Sequence, residues 1–241
     1  MIEKTGGILL HRIKYSDSRL ILKIFTEKFG LRSYMFYLSK TKNKKHEQNI
    51  LQPLYVYDLE VYDGGKCNIC KIKNISLKVL FKSLPFDIYK QSLSMFLSEF
   101  ILKISADNEP DDILFDFIFN SVKELDEMQI SVADFHLFFL YRLSGYLGIL
   151  PENNYSDSHK IFDLKTGRFI TGHPSHSFFL DEKMSFNLYK LACSQKYETL
   201  SLRLNKNDRA SLLNALIDFY NLHLGRPGKM KSPEILKQVF S

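Results

Sequence analysis

Tryptophan is absent from this 241-residue chain, and cysteine occurs only three times. Three is an odd number and too few for a disulfide framework, which fits a reducing compartment. No apolar run approaches the roughly 18 residues that a membrane span requires. The opening Met-Ile-Glu-Lys-Thr-Gly-Gly-Ile-Leu-Leu-His-Arg-Ile-Lys carries charges on both sides of a short apolar stretch, and no signal-peptide cleavage pattern follows. These absences predict a cytoplasmic protein with no membrane attachment. The motifs of catalysis are missing too. There is no phosphate-cradling G-x-x-x-x-G-K-[ST], no dinucleotide-binding G-x-G-x-x-G, no nucleophile elbow G-x-S-x-G and no H-E-x-x-H. The expectation is a binding protein rather than an enzyme, with no catalytic residue and no cofactor.

What is present is apolar bulk and a lopsided charge. Hydrophobic residues make up 45% and aromatics 14%, with 20 Phe and 13 Tyr, enough for a substantial core. Net charge is +6, but residues 1–83 hold 16 Lys and Arg against 7 Asp and Glu, a net of +9. Residues 84–241 hold 17 against 20, a net of −3. Such asymmetry points to one module that faces a polyanion and another with a different task.

The first 80 residues read as strands. Gly6–Ile13, Arg19–Thr26, Leu31–Leu38 and Leu54–Tyr62 are rich in β-branched and aromatic residues. Tyr15–Ser18 and Glu27–Gly30 supply turns, with Gly30 able to take a positive φ, and Asp63-Gly64-Gly65 signals a hairpin into a fifth strand from about Lys66 to Leu80. Five short strands predict a small barrel, either an OB-fold or an SH3-like barrel. The pattern changes near Pro85. Apolar residues then recur at helical spacing over Asp87–Ser105, with Asp87 as N-cap, and in a second helix opened by the acidic run ending at Asp112. A third helix spans about Val132–Leu147 and stops at Gly148 and Pro151; its apolar residues go most of the way round, marking it as central. Residues 151–180 are turn-rich, with a hairpin over Lys160–Ile170 around Thr166-Gly167. Helices resume at about 184–195 and 206–224, and Pro233 begins a short last helix over Ser232–Phe240. The fold class is therefore α+β: a five-stranded barrel domain over 1–82 and a helical domain over 83–241.

Several residues invite chemistry. Cys67-Asn-Ile-Cys70 resembles half a zinc site or a redox pair, but it falls in a predicted strand where i and i+3 face opposite ways, and no second Cys or His pair lies at usable spacing. These cysteines read as structural, and Cys193 as a core residue of a helix. His136 reads as a packed histidine, and Asp111-Asp112 as capping carboxylates. The stronger signal is basic. Lys40, Lys42, Lys44 and Lys45 follow the third strand, and Arg12, Lys14, Arg19, Lys23 and Arg32 precede them on the strands. Aromatics are interleaved, among them Tyr15, Phe25, Phe29, Tyr34, Phe36, Tyr37, Tyr55 and Tyr57. Cations that neutralise phosphates beside rings that stack on bases are how OB-folds hold single strands. Most of the rings must fill the barrel, so only two or three are expected at the surface.

Tyr15–Gly30, with its polar turn and its strand ending Phe-Thr-x-x-x-Gly, resembles the opening hairpin of the RecO family. The Lys-rich loop before Leu51-Gln-Pro-Leu54, the helix Phe135–Pro151 ending in Leu-Gly, and the closing Lys231-Ser-Pro-Glu-Ile-Leu236 fit the same family in order. The resemblance covers nearly the whole chain. It implies an N-terminal OB domain, binding of single- and double-stranded DNA, annealing of complementary strands, and work with RecR to load RecA onto SSB-coated DNA. It also implies that the helical domain binds the acidic, aromatic-ended tail of SSB. Such a tail needs an apolar pocket beside a cation, for which Arg142, Arg203 and Arg209 are candidates. Many family members carry a four-cysteine zinc module after the central helix. Residues 151–180 contain no cysteine here, only His159, His173 and His176, so the hairpin is expected to be a degenerate, zinc-ribbon-like remnant without metal. The alternative reading is another OB-fold adaptor, acting on RNA and without a recombination role.

Overall fold

The computed structural model describes residues 2–39, 49–62, 67–105, 109–202, 204–225 and 227–240. The chain forms two compact units, Met1–Glu127 and Met128–Ser241. Among the described residues no helix is long and apolar enough to cross a membrane.

In the first unit five strands close a barrel in the order β1-β2-β3-β5-β4, the OB-fold arrangement rather than the SH3-like one. They are β1 (Glu3–Ser16), β2 (Arg19–Thr26), β3 (Gly30–Tyr37), β4 (Val56–Tyr62) and β5 (Cys70–Leu77). Every pairing is antiparallel except β3 with β5, where Tyr34 and Met35 lie beside Cys70 and Lys71 in parallel. The period-2 alternation of β2 explains the interior: Leu20, Leu22 and Ile24 point inward and meet Tyr34, Tyr57, Leu59 and Val61. Gly7 is forced by packing, because a Cβ there would lie 2.6 Å from Leu59 Cδ1 and 2.7 Å from Ile24 Cγ2. Gly30 takes φ 64° at the β2–β3 turn, where Thr26 Oγ1 donates to its carbonyl.

The strand limits differ from the sequence reading in three places. β1 runs longer at both ends, because it pairs with β4 at one end and with β2 at the other. β4 starts at Val56, since Leu54 sits at φ 63° and cannot continue a strand; burial and its N–H bond to the Leu9 carbonyl (2.7 Å) hold it there. β5 starts only at Cys70. Cys67 therefore lies ahead of the strand, escapes the alternation, and forms a disulfide with Cys70 across a Cα–Cα distance of 5.4 Å. The expected Asp63–Gly65 hairpin lies outside the described residues.

Two long helices of this unit follow the barrel, α1 (Ile88–Ile104) and α2 (Asp112–Glu127). Asp87 caps α1 by accepting from the N–H groups of Tyr89 and Lys90, and Asp111 accepts from Leu114 N. Phe25 on the outer sheet face stacks against Phe115 of α2, with ring centroids 6.2 Å apart. At the other end of α2, Asp126 accepts from the N–H groups of Lys82, Ser83 and Leu84 at 2.9, 2.8 and 2.7 Å. Burial opposes its ionisation, but those donors prevail and hold its carboxyl below the usual range.

The second unit contains α3 (Phe135–Tyr146), a three-stranded sheet, α4 (Glu182–Cys193), a short 3-10 turn over Tyr197–Thr199, α5 (Lys206–Leu224) and α6 (Ser232–Val239). α3 is buried nearly all round, as its sequence indicated. The hairpin around Thr166-Gly167 is β6 (Ile161–Asp163) with β7 (Arg168–Ile170), and a strand not apparent in the sequence, β8 (Phe179–Leu180), adds to the other side of β6. Cys193 is not core: it is the last residue of α4, past Leu191, which takes the buried position, and it is exposed.

Candidate nucleic-acid interface

The five strand cations do not share one surface. Cross-strand pairs sort them, because paired residues project on the same side of a sheet. Arg19 and Lys23 share the parity of Ile21 and lie outside the barrel, opposite in phase to Leu20 and Leu22. Arg12 pairs with Leu22 and Lys14 with Leu20, so both take the inward phase of β1, but in a stretch that is exposed. Arg12 donates to the Leu51 carbonyl at 3.0 Å, and Lys14 lies 2.9 Å from Asp17 in an exposed pair of small energetic weight. Arg32 pairs with Ile24, in the inward phase at one end of β3. The structure thus brings Arg19 and Lys23 onto one outer face and separates Arg12, Lys14 and Arg32 from them. Lys40, Lys42, Lys44 and Lys45 lie outside the described residues.

The aromatics divide as the barrel requires. Tyr34, Tyr57 and Phe25 are buried, Phe29, Phe36 and Tyr55 are half-buried, and only Tyr15 and Tyr37 of that set are exposed. The Arg19 guanidinium lies 5.9 Å from the centre of the Tyr37 ring. On the same face His11 pairs with Lys23. Burial lowers the His11 pKa, and the Lys23 charge lowers it further against the opposing pull of Glu99.

The second unit holds an apolar pocket between α3, α5 and α6. His136, Leu213, Leu236 and Phe240 line it, with Arg209 and Lys237 among its cations. His136 is buried, and burial followed by the neighbouring Arg209 charge pulls its pKa down to about 3, so the ring is neutral. Arg209 Nε is 2.7 Å from Asp134, whose carboxyl is nevertheless pushed up by burial. Of the expected partner-binding cations among the described residues, Arg209 is at this pocket and Arg142 is not. Arg142 donates to the Gln195 carbonyl and lies over Phe138, and Arg203 is outside the described residues. Sequence reasoning missed Lys237 and Phe240, although they stand about one and two turns beyond the Lys-Ser-Pro signature of the last helix.

The residues of the hairpin region do not fit a structural zinc. Asp163 is buried and accepts from Lys165 N and Thr166 Oγ1, and His176 Nε2 lies 3.4 Å from it. His173 instead packs edge-on against Phe179. Among the described residues no group of three or more His, Cys, Asp or Glu could hold a metal ion. Two neighbouring donors fall short of the four that a structural zinc takes.

Comparison with known proteins completes the description. Residues 1–81 match the family model for the recombination protein O N terminal region, and residues 85–233 match that for the recombination protein O C terminal region. The chain is 31% identical over 242 residues to the DNA repair protein RecO of Phocaeicola vulgatus, covering 100% of both chains. It is 32% identical over 245 residues to RecO of Bacteroides fragilis and 30% identical over 244 residues to RecO of Porphyromonas gingivalis, again over 100% of each chain.

Proposed function

Because the chain belongs to the RecO family of DNA repair proteins, we propose that it is a recombination mediator that binds single- and double-stranded DNA and anneals complementary strands. With RecR it helps load RecA onto SSB-coated DNA in the cytoplasm, without a catalytic step of its own. The observation that carries this reading is the OB barrel whose outer face presents Arg19 and Lys23, with the exposed Tyr37 ring beside Arg19. Such a surface neutralises phosphates and offers a stacking partner, with no need of sequence readout. In this reading the division of labour runs between residues 1–82, which hold DNA through Arg12, Lys14, Arg19, Lys23, Arg32 and the Lys40–Lys45 loop, and residues 83–241, which hold protein. The SSB tail enters the pocket of the second unit: its terminal aromatic lies against Leu213, Leu236 and Phe240, and its acids meet Arg209 and Lys237. Arg142 and Arg203 are further candidate contacts for that partner.

The test is annealing of complementary DNA strands, alone and coated with SSB, followed by fluorescence anisotropy with a labelled SSB tail peptide. Acceleration of annealing and loss of peptide binding in Arg209→Gln are expected. Binding to RNA without DNA annealing would replace this reading with that of an OB-fold RNA adaptor.

A further inference from the structure

The barrel closes through its shortest pairing. β2 and β3 pair along their whole length, from Arg19 with Tyr37 to Thr26 with Gly30. Among the described residues β3 meets β5 only through Tyr34 with Cys70 and Met35 with Lys71. β4 leaves β5 at the pair of Tyr62 with Lys71, one residue short of Cys70. The Cys67–Cys70 disulfide sits at that point, across a sequence separation of 3. A ring this short removes less entropy from the unfolded chain than a long-range bridge does. Its effect is local: it ties the residues ahead of β5 to the end of the β3–β5 seam.

The two sulfurs have unequal surroundings. Cys70 is buried in the barrel core with Tyr34, Leu38 and Leu51. Cys67 is half-buried, next to the exposed Asn68 and Ile69. An incoming thiol or disulfide therefore reaches Cys67 first and leaves Cys70 as the resolving sulfur. The reduced pair fits the same surroundings. A Cys70 thiol packs as a small apolar side chain, and it has an acceptor in the Cys67 carbonyl oxygen, 3.7 Å from its sulfur. In a reducing cytoplasm, disulfides are usually transient or redox-sensing rather than structural.

We propose that Cys67 and Cys70 form a reversible exchange site for low-molecular-weight thiols and disulfides, which clasps the β3–β5 seam when oxidised and frees it when reduced. In reduction, one small-molecule thiolate attacks the Cys67 sulfur, forms a mixed disulfide and expels the Cys70 thiolate, which takes up a proton. A second thiolate attacks the small molecule's sulfur in that mixed disulfide. Cys67 leaves as a thiolate and is protonated, and the small molecule departs as its own disulfide. Two electrons pass from two small thiols to the protein, and oxidation runs the same steps backward.

Cys193 is exposed and would add a third thiol, so the test uses the full chain carrying Cys193→Ser. The protein is equilibrated in graded ratios of reduced to oxidised glutathione, quenched in acid, alkylated and weighed. Both cysteines should pass together from unlabelled to doubly labelled. Hydrogen exchange in peptides spanning residues 67–72 and 33–36 should quicken in the dithiol form by up to roughly 20-fold, the loop-closure value for so short a ring. Peptides of residues 128–241 should not change. Cys67→Ser, which leaves the buried Cys70 in place, should exchange like the reduced form at every ratio. A pair that stays joined in excess dithiothreitol, or one that stays dithiol in excess oxidised glutathione, overturns the proposal. So does a seam that exchanges equally fast in both states.

Discussion

In the unit of residues 1–127 the buried Asp126 is charged, and in the unit of residues 128–241 the buried His136 is neutral. Asp126 keeps its charge because three backbone N–H groups converge on it, whereas His136 loses its own because it is buried beside Arg209. Net charge divides the chain differently. Residues 84–127 carry 3 Lys against 10 Asp and Glu, while residues 128–241 carry 14 Lys and Arg against 10. The net −3 of the segment after residue 83 therefore hides a strongly acidic helical pair, packed in the barrel's own unit, and a mildly basic second unit. The lesson is that an acidic pair lies in the same compact unit as the basic barrel, so the cationic surface is a local feature of the sheet.

Acid should separate the units most sharply. A histidine whose folded pKa is about 3, against an ordinary 6.5, contributes stability that is whole above 6.5 and is lost progressively as pH falls toward 3. The shift corresponds to at most roughly 5 kcal/mol at the acid end of that window. Asp126, with its pKa depressed, holds its contribution above its ordinary value of 3.8 and loses it as pH falls from there through its lowered folded value. Hydrogen exchange read peptide by peptide at pH 7, 5 and 4 should show the second unit opening first, and His136→Leu should suppress that difference. Simultaneous opening of both units in wild type and variant would dissolve the contrast.

The converse variant attacks the first unit. Asp126→Ala strands the N–H groups of Lys82, Ser83 and Leu84, at a cost of about 3 kcal/mol. Asp126→Asn, which retains one acceptor oxygen, should recover part of it. Chemical denaturation followed by exchange should place the loss within residues 1–127, with residues 128–241 unchanged.

How much of this was legible in the sequence depends on range. Alternation in Arg19–Thr26, the positive φ of Gly30 and the caps at Asp87 and Asp111 are set by near neighbours, and they read correctly. The parallel closure of β3 on β5 and the two-residue strand β8 depend on partners far along the chain, which no local period reveals. The faces on which the strand cations lie depend on cross-strand register in the same way. Arg12 and Lys14 share one parity and Arg19 and Lys23 another, but which pair meets the outside is decided by the bulge between Leu9 and His11. Leu54 gave no sign of its left-handed backbone, because leucine there is chosen by burial and not by φ.

The lysines between Lys40 and Lys45 test whether the basic character of residues 1–83 extends beyond the strands. Their nearest acid in sequence is Glu47, so four lysines cannot all be paired locally. Changing Lys40, Lys42, Lys44 and Lys45 to Gln should flatten the slope of log affinity against log salt for single strands by roughly 1.4–2.1, if two or three of them meet phosphates at about 0.7 each. Base preference and thermal stability should not move. Overlapping salt titrations of wild type and variant would confine phosphate contact to the strands.

The smallest effect is expected from chelation, in the hairpin of the second unit. If β6 and β7 were held by a metal, EDTA would lower the melting temperature by many degrees, since structural zinc supplies folding energy directly. The contacts here replace that role with protein groups. Asp163 is consumed by Lys165 N and Thr166 Oγ1, Asn154 bridges to Phe169 through both its amide atoms, and Phe162 stacks edge-on with Phe169. These bonds are made by neutral donors or a buried carboxylate, and chelator cannot compete for them. Melting with and without EDTA should therefore agree within about 1 °C, less than 1 kcal/mol for a unit of this size. Stoichiometric zinc in protein purified without chelator, lost on substituting His173 and His176, would show that those two side chains recruit donors by rearranging the loop that carries them.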